Sequence, residues 1–324
     1  MSKPFAWGIL APGNIANSFA RDLAKLDDAE LVAVGSRDQG RADAFAAKWG
    51  VPRAYGSYDA LIADPQVEAI YVAPPHPFHA PCTIACLQGG KPVLCEKPLA
   101  INQREVAQMI DTARREGVFL MEAQWTLFSP AVRQAVAWIE EGAIGEVRMV
   151  RADFCFRAGI NPSSRLFNLN LGGGGLLDVG TYTVSLAQMI LGDEPQSIQA
   201  MAHIGETGVD EQALINLGYP GGALAQLTCG VRVSTAHEAW IYGTEGMIKL
   251  PAFWHATEAI LMPNGQDPVT VPCEMGYHYE ARAVCEAVRA GQLEHPIMSW
   301  DSSLAIARTL DAVREQIGLV YPMD

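Results

Sequence analysis

Strand-like and helix-like segments alternate through the first part of the chain, up to residue 123. Short apolar runs bounded by Gly and Pro predict buried strands at Phe5–Leu10, Leu31–Gly35, Val67–Ala73, Val93–Cys95 and Val118–Met121. Apolar residues at helical spacing predict helices between them at Ile15–Lys25, Gln39–Trp49, His79–Gln88 and Gln103–Glu116. This alternation indicates a parallel sheet covered on both faces, and it predicts a doubly wound α/β domain over residues 1–123.

The pattern changes after residue 123. Strand-like segments joined by tight turns, such as Tyr219–Gly222, predict an open and largely antiparallel sheet. One long helix is predicted at Leu176–Leu191, after a run of four glycines. We therefore expect a second, α+β domain over residues 124–324, whose sheet offers a broad face. Its last helix, at 302–317, is expected to pack back on the first domain.

The charge and cysteine content narrow the class of protein. The net charge of −13 argues against a nucleic-acid partner, because phosphate binding needs a basic surface. The sequence has no apolar run of about 18 residues and no visible N-terminal signal, so we expect no membrane span and a cytoplasmic location. The seven cysteines are scattered and none forms CxxC, which favours reduced thiols and no metal site.

The turn after the first predicted strand has the character of a dinucleotide-binding turn. The G-x-G-x-x-G/A pattern is matched by Ala11, Gly13 and Ala16, so its first glycine is replaced. Gly13 allows a pyrophosphate to approach the backbone closely, and the following helix offers free N–H groups. The residues predicted to bind the cofactor here are Gly8, Gly13, Asn14 and Ile15.

The tip of the second strand indicates which cofactor binds. An NAD site places Asp or Glu there to hold the ribose 2′-hydroxyl, whereas this chain has Ser36 and Arg37 followed by Asp38. Ser36, Arg37 and Arg41 can hold a 2′-phosphate, and Asp38 can simply cap the next helix. The sequence therefore favours NADP, with NAD as the alternative.

A second group of candidates follows the fourth and fifth strands. Glu96 and Lys97 precede Pro98 directly after the run Val93–Cys95, where open α/β sheets bind ligands. Ala73, Pro74 and His79 follow the preceding strand. We expect all of these except Pro98 to contact the cofactor, with His79 at a helix start beside the nicotinamide ribose. Lys97 is also a catalytic candidate, because a lysine changes its pKa readily when buried.

A second motif lies in the other domain, where Gly172–Gly175 is followed by Asp178 and Tyr182. These two residues are four apart and would share one face of a helix. A free tyrosine has a pKa near ~10, and a cation close to it, such as Lys97, would lower that pKa enough for proton exchange with an alcohol. Lys97, Tyr182 and Asp178 are therefore the predicted catalytic residues.

Aromatic residues are concentrated where one wall of a substrate pocket would lie. As a group they would suit an apolar or sugar ring beside Asp178 and Tyr182, and they are Trp125, Phe128, Phe154, Phe156 and Trp254. Arg165, which lies seven residues before the glycine run, is a candidate donor to cofactor or substrate. The alternative is that these aromatics belong to the core and that Arg165 is a solvated loop residue.

In this order and spacing, the motifs resemble the glucose–fructose oxidoreductase, inositol dehydrogenase and rhizopine-catabolism family (Gfo/Idh/MocA) over essentially the full length. The residues that carry the likeness are the Gly8–Ala16 turn, the Pro75–His79 loop, Glu96-Lys97-Pro98 and the block from Gly172 to Tyr182. Val93–Pro98, Phe119–Ala123, Glu206–Asp210 and the stretch around Trp254 resemble its branch of dimeric dihydrodiol and NADP-dependent D-xylose dehydrogenases.

The resemblance implies a Rossmann domain over residues 1–123 and an open-faced, substrate-binding α/β domain over residues 124–324, with Lys97 and Tyr182 as the catalytic pair. Trp125, Phe154 and Trp254 match aromatic positions of the substrate pocket in that branch, which makes them the predicted substrate-binding aromatics. It also implies a homodimer or homotetramer formed through the second sheet. We expect an NADP-dependent dehydrogenase acting on an aldose, a cyclic polyol or a trans-dihydrodiol. Alternatives are a sugar–sugar oxidoreductase that retains NADP(H), a redox-assisted glycoside hydrolase, and a non-catalytic NADPH sensor, although a sensor would not need the catalytic residues.

Overall fold

The computed structural model describes residues 3–324, which divide into two compact units. The first unit comprises the residues up to Ala123 together with Gly276–Ser303. The second comprises Gln124–Met275 and Leu304–Asp324.

The first unit contains a parallel sheet of six strands in the order β3-β2-β1-β4-β5-β6. Its strands are β1 (Phe5–Leu10), β2 (Ala29–Gly35), β3 (Arg53–Tyr55), β4 (Ala69–Val72), β5 (Val93–Glu96) and β6 (Leu120–Ala123). Its helices are α1 (Asn14–Leu23), α2 (Gln39–Trp49), α3 (Tyr58–Ile62), α4 (His79–Gln88) and α5 (Gln103–Glu116). The strand order reverses direction between β1 and β4, and doubly wound sheets bind ligands at such a point.

The core of this unit forms because the central strands are apolar on both faces. Every residue of β1, β4, β5 and β6 is buried. An aromatic stack continues the core toward α1, since the rings of Phe19 and Tyr71 lie 4.0 Å apart and nearly parallel. Trp7, fully buried, packs edge-on against Phe19.

The chain returns to the first unit with Gly276–Ser303, which includes helix α8 (His278–Arg289). The Tyr277 N–H donates to the Asp22 carboxylate at 3.0 Å, and Trp7 Nε1 donates to Cys285 Sγ at 3.3 Å. The returning segment also includes the start of the last helix, up to Ser303, whereas Leu304–Asp324 belongs to the second unit. The packing of helix 302–317 on the first domain stays a prediction.

The second unit contains a sheet of eight strands in the order β14-β13-β12-β11-β7-β10-β9-β8. All neighbouring strands are antiparallel except β7 and β10. The strands are β7 (Val147–Cys155), β8 (Ser197–Ile204), β9 (Asp210–Gly218), β10 (Leu224–Gly230), β11 (Ala239–Gly243), β12 (Gly246–Leu250), β13 (Glu258–Pro263) and β14 (Val269–Pro272). The helices are α6 (Pro130–Glu140), α7 (Thr181–Leu191) and most of α9 (Trp300–Ile317).

Strands β9 and β10 alternate buried and exposed residues, so one face of the sheet is covered and the other is open. The covered face packs against α7, whose residues Thr181–Gln188 are all buried. The open face carries exposed apolar side chains, including Met201, Leu214 and Leu224.

The structure confirms the predicted fold class of a parallel Rossmann sheet followed by a mostly antiparallel second sheet. It corrects the helix predicted at Leu176–Leu191. A π-helical turn covers Leu176–Gly180, and the α-helix begins only at Thr181. The structure also adds elements that the sequence did not predict, namely β3, α3, β13, β14 and α8.

Candidate active site

The cofactor candidates of the first unit collect at the carboxyl ends of its strands. The turn at Ala11–Gly13 follows β1, Ser36 follows β2, and Ala73 and Pro74 follow β4. Because β1 and β4 are the strands between which the order reverses, these loops border the expected binding crevice of a doubly wound sheet.

The turn after β1 fits a pyrophosphate. Helices α2, α3 and α5 each begin with a side-chain cap, whereas no side chain caps α1, whose first residues are Asn14 and Ile15. Its first N–H groups are therefore available to an anion. A Cβ added at Gly13 would meet no described atom within 4 Å, which leaves that face of the turn open.

Two other residues of this turn have different roles. Gly8 lies inside β1, where an added Cβ would come within 3.0 Å of Val67 and 3.1 Å of Leu61. Its glycine is therefore explained by packing against these side chains. Ala11 occupies the first glycine position of the pattern with a φ of +69°. This left-handed backbone is the reason glycine suits that position.

The residues after β2 have the chemistry of a 2′-phosphate site. The Asp38 carboxylate accepts the Arg41 N–H at 3.0 Å and caps α2. It is therefore engaged at the helix start, while the side chains of Ser36, Arg37 and Arg41 remain as the donors for a phosphate. The Arg37 guanidinium lies 5.4 Å from the Phe78 ring centroid. These residues fit NADP.

Lys97 lies on a loop whose backbone N–H groups donate to buried carboxylates. Its own N–H donates to the Glu96 carboxylate at 3.2 Å. Two residues later, the Leu99 N–H donates to the buried Glu122 carboxylate at 3.0 Å. Glu96 is itself buried and accepts a short hydrogen bond from the Tyr71 hydroxyl. The backbone that carries Lys97 is thus fixed by groups of β4, β5 and β6.

His79 completes this anchoring. It is the first residue of α4, as predicted, and its ring is almost fully buried. Nδ1 lies 2.8 Å from the Pro98 carbonyl oxygen and Nε2 lies 2.9 Å from that of Pro74. Burial lowers the pKa of His79 to about 4, and Lys97 contributes to the lowering. A neutral ring has one N–H, so it donates to one of these two carbonyl oxygens at a time while it contacts both loops.

The second unit carries the other catalytic candidates. Asp178 lies in the π-helical turn and Tyr182 in the first turn of α7, and both are largely buried. Because the two residues belong to different helical geometries, their four-residue spacing does not by itself place them on one face, contrary to the sequence prediction. Gln124 Nε2 donates to Thr181 Oγ1 at 2.8 Å and fixes the start of α7.

The Tyr182 hydroxyl has a defined donor. Trp125 Nε1 lies 3.2 Å from Tyr182 Oη, and an indole N–H can only donate. The Tyr182 oxygen therefore acts as the acceptor in this bond, and its own proton is directed elsewhere. A donor at this position also stabilises negative charge on the oxygen.

Asp178 pairs with Arg165, whose Nη1 lies 2.8 Å from Asp178 Oδ1. The Arg165 side chain is 53% exposed and that of Asp178 only 7%, so the arginine reaches in from a surface loop. The sequence makes Arg165 a candidate donor to cofactor or substrate and does not predict Asp178 as its partner.

The predicted substrate aromatics form one cluster with Tyr182. The rings of Phe154 and Trp254 stack at 4.8 Å, nearly parallel, and Trp125 meets Trp254 edge-on at 6.3 Å. Phe154 lies 5.4 Å from the Tyr182 ring. His237, which the sequence did not single out, accepts the Trp254 Nε1–H on Nδ1 at 3.2 Å.

Residues 3–324 also bear on whether the protein could hold a metal ion or cross a membrane. No group of three or more His, Cys, Asp or Glu residues is placed there to hold a metal ion. Within the same range, every helix is too short or too polar to cross a bilayer.

Both halves of the chain match family models. Residues 5–124 match the model described as an oxidoreductase family with an NAD-binding Rossmann fold. Residues 132–249 match the model described as the GFO/IDH/MocA C-terminal domain.

Characterised relatives match over nearly the whole chain. The trans-1,2-dihydrobenzene-1,2-diol dehydrogenase of Mus musculus is 40% identical over 98% of each chain, and that of Homo sapiens is 37% identical over the same shares. The solved 3-ketoreductase KijD10 of Actinomadura kijaniata, in complex with NADP and TDP-benzene, is 28% identical with a TM-score of 0.87. The alignment covers 97% of this chain and 98% of that structure.

Proposed function

The chain belongs to the GFO/IDH/MocA oxidoreductase family, and on this premise we propose that it is an NADP-dependent dehydrogenase acting on CH–OH donors. The substrate class is a trans-dihydrodiol, a cyclic polyol or an aldose. The observation that carries the proposal is the Tyr182 hydroxyl, which is held by Trp125 within an aromatic cluster.

The first unit holds the cofactor. The free N–H groups at the start of α1 receive the pyrophosphate, and Ser36, Arg37 and Arg41 receive the 2′-phosphate. His79 and Glu96 keep the loops after β4 and β5 in place beside it. The nicotinamide, when bound, supplies hydride acceptance and donation.

The residues of the chain supply the proton chemistry. Tyr182 takes the proton of the substrate hydroxyl during oxidation and returns it during reduction. Trp125 stabilises the Tyr182 oxygen by its N–H. Lys97 is the cationic candidate of the first unit, and its proposed role is to supply the positive charge that an ionised phenol requires. Asp178, oriented by Arg165, holds a substrate hydroxyl as an acceptor.

The aromatic cluster supports a flat or cyclic substrate. Phe154 and Trp254 stack face to face, so the half-buried Trp254 would offer only its outer ring face to a substrate, with Trp125 packed edge-on behind it. A cyclic diol presents an apolar ring with polar hydroxyls at one side, which suits such a wall beside Tyr182. The identity to the trans-1,2-dihydrobenzene-1,2-diol dehydrogenases supports the same substrate class.

The open face of the second sheet supports self-association. Met201, Leu214 and Leu224 are 76%, 55% and 55% exposed, and apolar exposure of this kind favours a partner surface. We expect a homodimer or homotetramer, to be measured by sedimentation equilibrium. The seven cysteines are all free thiols, which supports a reducing, cytoplasmic location.

The decisive experiment is a substrate panel. Trans-1,2-dihydrobenzene-1,2-diol, D-xylose, D-glucose and myo-inositol are each incubated with NADP+ or NAD+, and absorbance is followed at the reduced nicotinamide band. We expect NADP+ reduction with the diol or an aldose. Sugar interconversion without added cofactor would favour a sugar–sugar oxidoreductase, and aglycone release from a nitrophenyl glycoside would favour a hydrolase.

Two variants test the catalytic roles. Lys97→Met and Tyr182→Phe should each lower kcat by at least ~10²-fold, with NADPH affinity changed much less. If the two residues act as one unit, the double variant loses no more than the worse single variant. Retained turnover in either variant removes that residue from the mechanism.

One variant tests the cofactor assignment. Arg37→Ala should weaken NADP+ and leave NAD+ unchanged, since the guanidinium is assigned to the 2′-phosphate. Equal weakening of both cofactors would contradict the assignment. Arg104, an exposed arginine at the start of α5, provides a matched Arg→Ala control for loss of surface charge.

A further inference from the structure

The glycine run before the catalytic helix is held from two sides by buried side chains of its own unit. The Leu176 N–H donates to Asp210 Oδ2 at 2.6 Å. The Tyr321 hydroxyl donates to the Gly173 carbonyl oxygen at 2.7 Å. Asp210 is 0% exposed and Tyr321 only 1%. Both residues lie far from Asp178 and Tyr182 in the sequence.

The contact with Asp210 is close enough to require glycine. Gly174 has a φ of +118°, and a Cβ added to it would lie 2.0 Å from Asp210 Oδ1. A Cβ at Gly175 would lie 2.9 Å from the Gly230 Cα. The run is therefore pressed against β9 and β10, and its path leaves no space for a side chain.

The position of this backbone determines where the catalytic candidates lie. Leu176 opens the π-helical turn that carries Asp178, and this turn leads directly into α7 and Tyr182. A displacement at Leu176 would therefore be transmitted to both side chains. Misplacement by about 1 Å can cost on the order of 100-fold in rate.

We propose that Asp210 is a positioning residue, which holds the Gly174–Leu176 backbone and thereby places Asp178 and Tyr182 for proton transfer. Tyr321 is the second holding residue, acting on Gly173. This inference rests on the proposed function, because it assumes that Asp178 and Tyr182 serve the reaction.

Tyr321 can act in this way because the end of the chain is itself fixed. The Arg314 guanidinium is largely buried and binds the Asp324 carboxylate at 2.8 Å and that of Asp311 at 2.7 Å. The Tyr321 N–H donates to Asp324 Oδ2 at 2.8 Å. The last turn of α9 is thus tied to the tail after it, and this tail contacts the glycine run through Tyr321.

The pKa of Asp210 gives its holding role a distinctive pH dependence. Burial raises its pKa to about 7, against hydrogen bonds from the N–H groups of Leu176, Asp210 itself and Gly175. The charge of Asp178 adds to the increase. The other titratable groups that sense Asp210 are Tyr321 and Cys229, and the pKa of each is raised well above its ordinary value, so both stay uncharged.

Asp210 therefore changes charge near neutral pH. Its carboxylate accepts N–H groups more strongly than its neutral acid does. The hold on Gly175 and Leu176 accordingly tightens as the pH rises through about 7.

The test is Asp210→Asn, which keeps the shape and one acceptor oxygen but cannot ionise. With trans-1,2-dihydrobenzene-1,2-diol and NADP+, we expect kcat to fall about 10-fold, with NADPH affinity by fluorescence titration within about 2-fold. The wild-type kcat profile should contain an ionisation near pH 7 that the variant lacks.

The matched control is Asp64→Asn. Asp64 is a buried aspartate of the first unit that accepts the Gln66 N–H at 2.9 Å and does not contact the glycine run. It should lose stability and retain the wild-type kcat profile. A role of Asp210 in stability alone would give the same result as this control, and that result would overturn the proposal.

Tyr321→Phe provides a second variant if Asp210→Asn fails to fold. It should lower kcat several-fold with unchanged NADPH affinity, whereas a wild-type kcat would overturn the holding role. The proposed function and the positioning role of Asp210 can fail independently. An active Tyr182→Phe variant would refute the proposed function, whereas an inactive Tyr182→Phe together with a wild-type-like Asp210→Asn would refute the positioning role alone.

Discussion

The hydrogen bond from Trp125 to Tyr182 gives a sharp test of the catalytic hypothesis. Trp125→Phe removes the Nε1–H that lies 3.2 Å from Tyr182 Oη and keeps an aromatic ring at the position. A hydrogen bond to a charged group contributes about 1.5–3 kcal/mol, and the lower value applies because 3.2 Å is at the long limit. About 1.5 kcal/mol corresponds to a fall in kcat of roughly 10-fold.

The assay must separate this effect from loss of packing. Trp125 is 1% exposed, so the smaller ring should also lower stability by about 1–2 kcal/mol. Trp138→Phe is the matched control, since Trp138 is a 7% exposed tryptophan of α6 in the same unit. It should lower the melting temperature similarly and leave kcat within about 2-fold, because it removes no group from Tyr182.

The measurements are kcat and KM with trans-1,2-dihydrobenzene-1,2-diol and NADP+, together with thermal unfolding of both variants. The hypothesis predicts a loss in kcat that exceeds any rise in KM, since the bond matters most when the oxygen carries charge. If Trp125→Phe retains wild-type kcat while Tyr182→Phe is inactive, the donor has no role in charge stabilisation and the reasoning fails.

Three further predictions concern stability and substrate binding. Glu280 is fully buried, neither of its carboxyl oxygens has a hydrogen-bond partner, and burial, then the charge of Glu96, raises its pKa well above 4.5. The folded protein keeps a proton on Glu280 that the unfolded chain releases above about pH 4.5. The free energy of unfolding therefore falls as the pH rises from there. Urea titrations at pH 5 and pH 8 should show a smaller fall for Glu280→Gln than for the wild type. Ala11→Gly should raise stability by about 0.5–1 kcal/mol because Ala11 has a φ of +69°, whereas Ala24→Gly, at a φ of −63°, should lower it in the same denaturation assay. His237→Phe, which keeps a ring but has no acceptor, should raise the KM for the diol about 5-fold with kcat nearly unchanged, since loss of the bond to Trp254 removes about 1 kcal/mol of orientation. An unchanged KM would exclude this role.

The first unit was largely predictable because its periodicity is strong. Apolar β1 and β5 and the amphipathic α5 give clear local signals, and α2 and α4 begin and end where the sequence predicts. Short elements were missed, because the three residues of β3 and the five of α3 provide too little periodicity to detect.

For the candidate site, the sequence motifs indicate residues, whose roles stay predictions, and they do not indicate the contacts of those residues. Lys97, Asp178 and Tyr182 lie in recognisable motifs, and their proposed roles follow from residue chemistry. Asp210 and Trp125 act through partners 34 and 57 residues away, and no local pattern indicates such pairs. The π-helical turn was also missed, because the sequence around Leu176–Gly180 supports an α-helix equally well.

The return of the chain to the first unit has a consequence for synthesis on the ribosome. Strand β6 lies at the edge of its sheet, where the Leu120 N–H donates to the Leu293 carbonyl oxygen and the Trp300 Nε1–H donates to the Leu120 oxygen. Domains that are contiguous in sequence can fold as soon as they emerge. Here these contacts, and that of Trp7 with Cys285, can form only after the segment up to Trp300 has been translated.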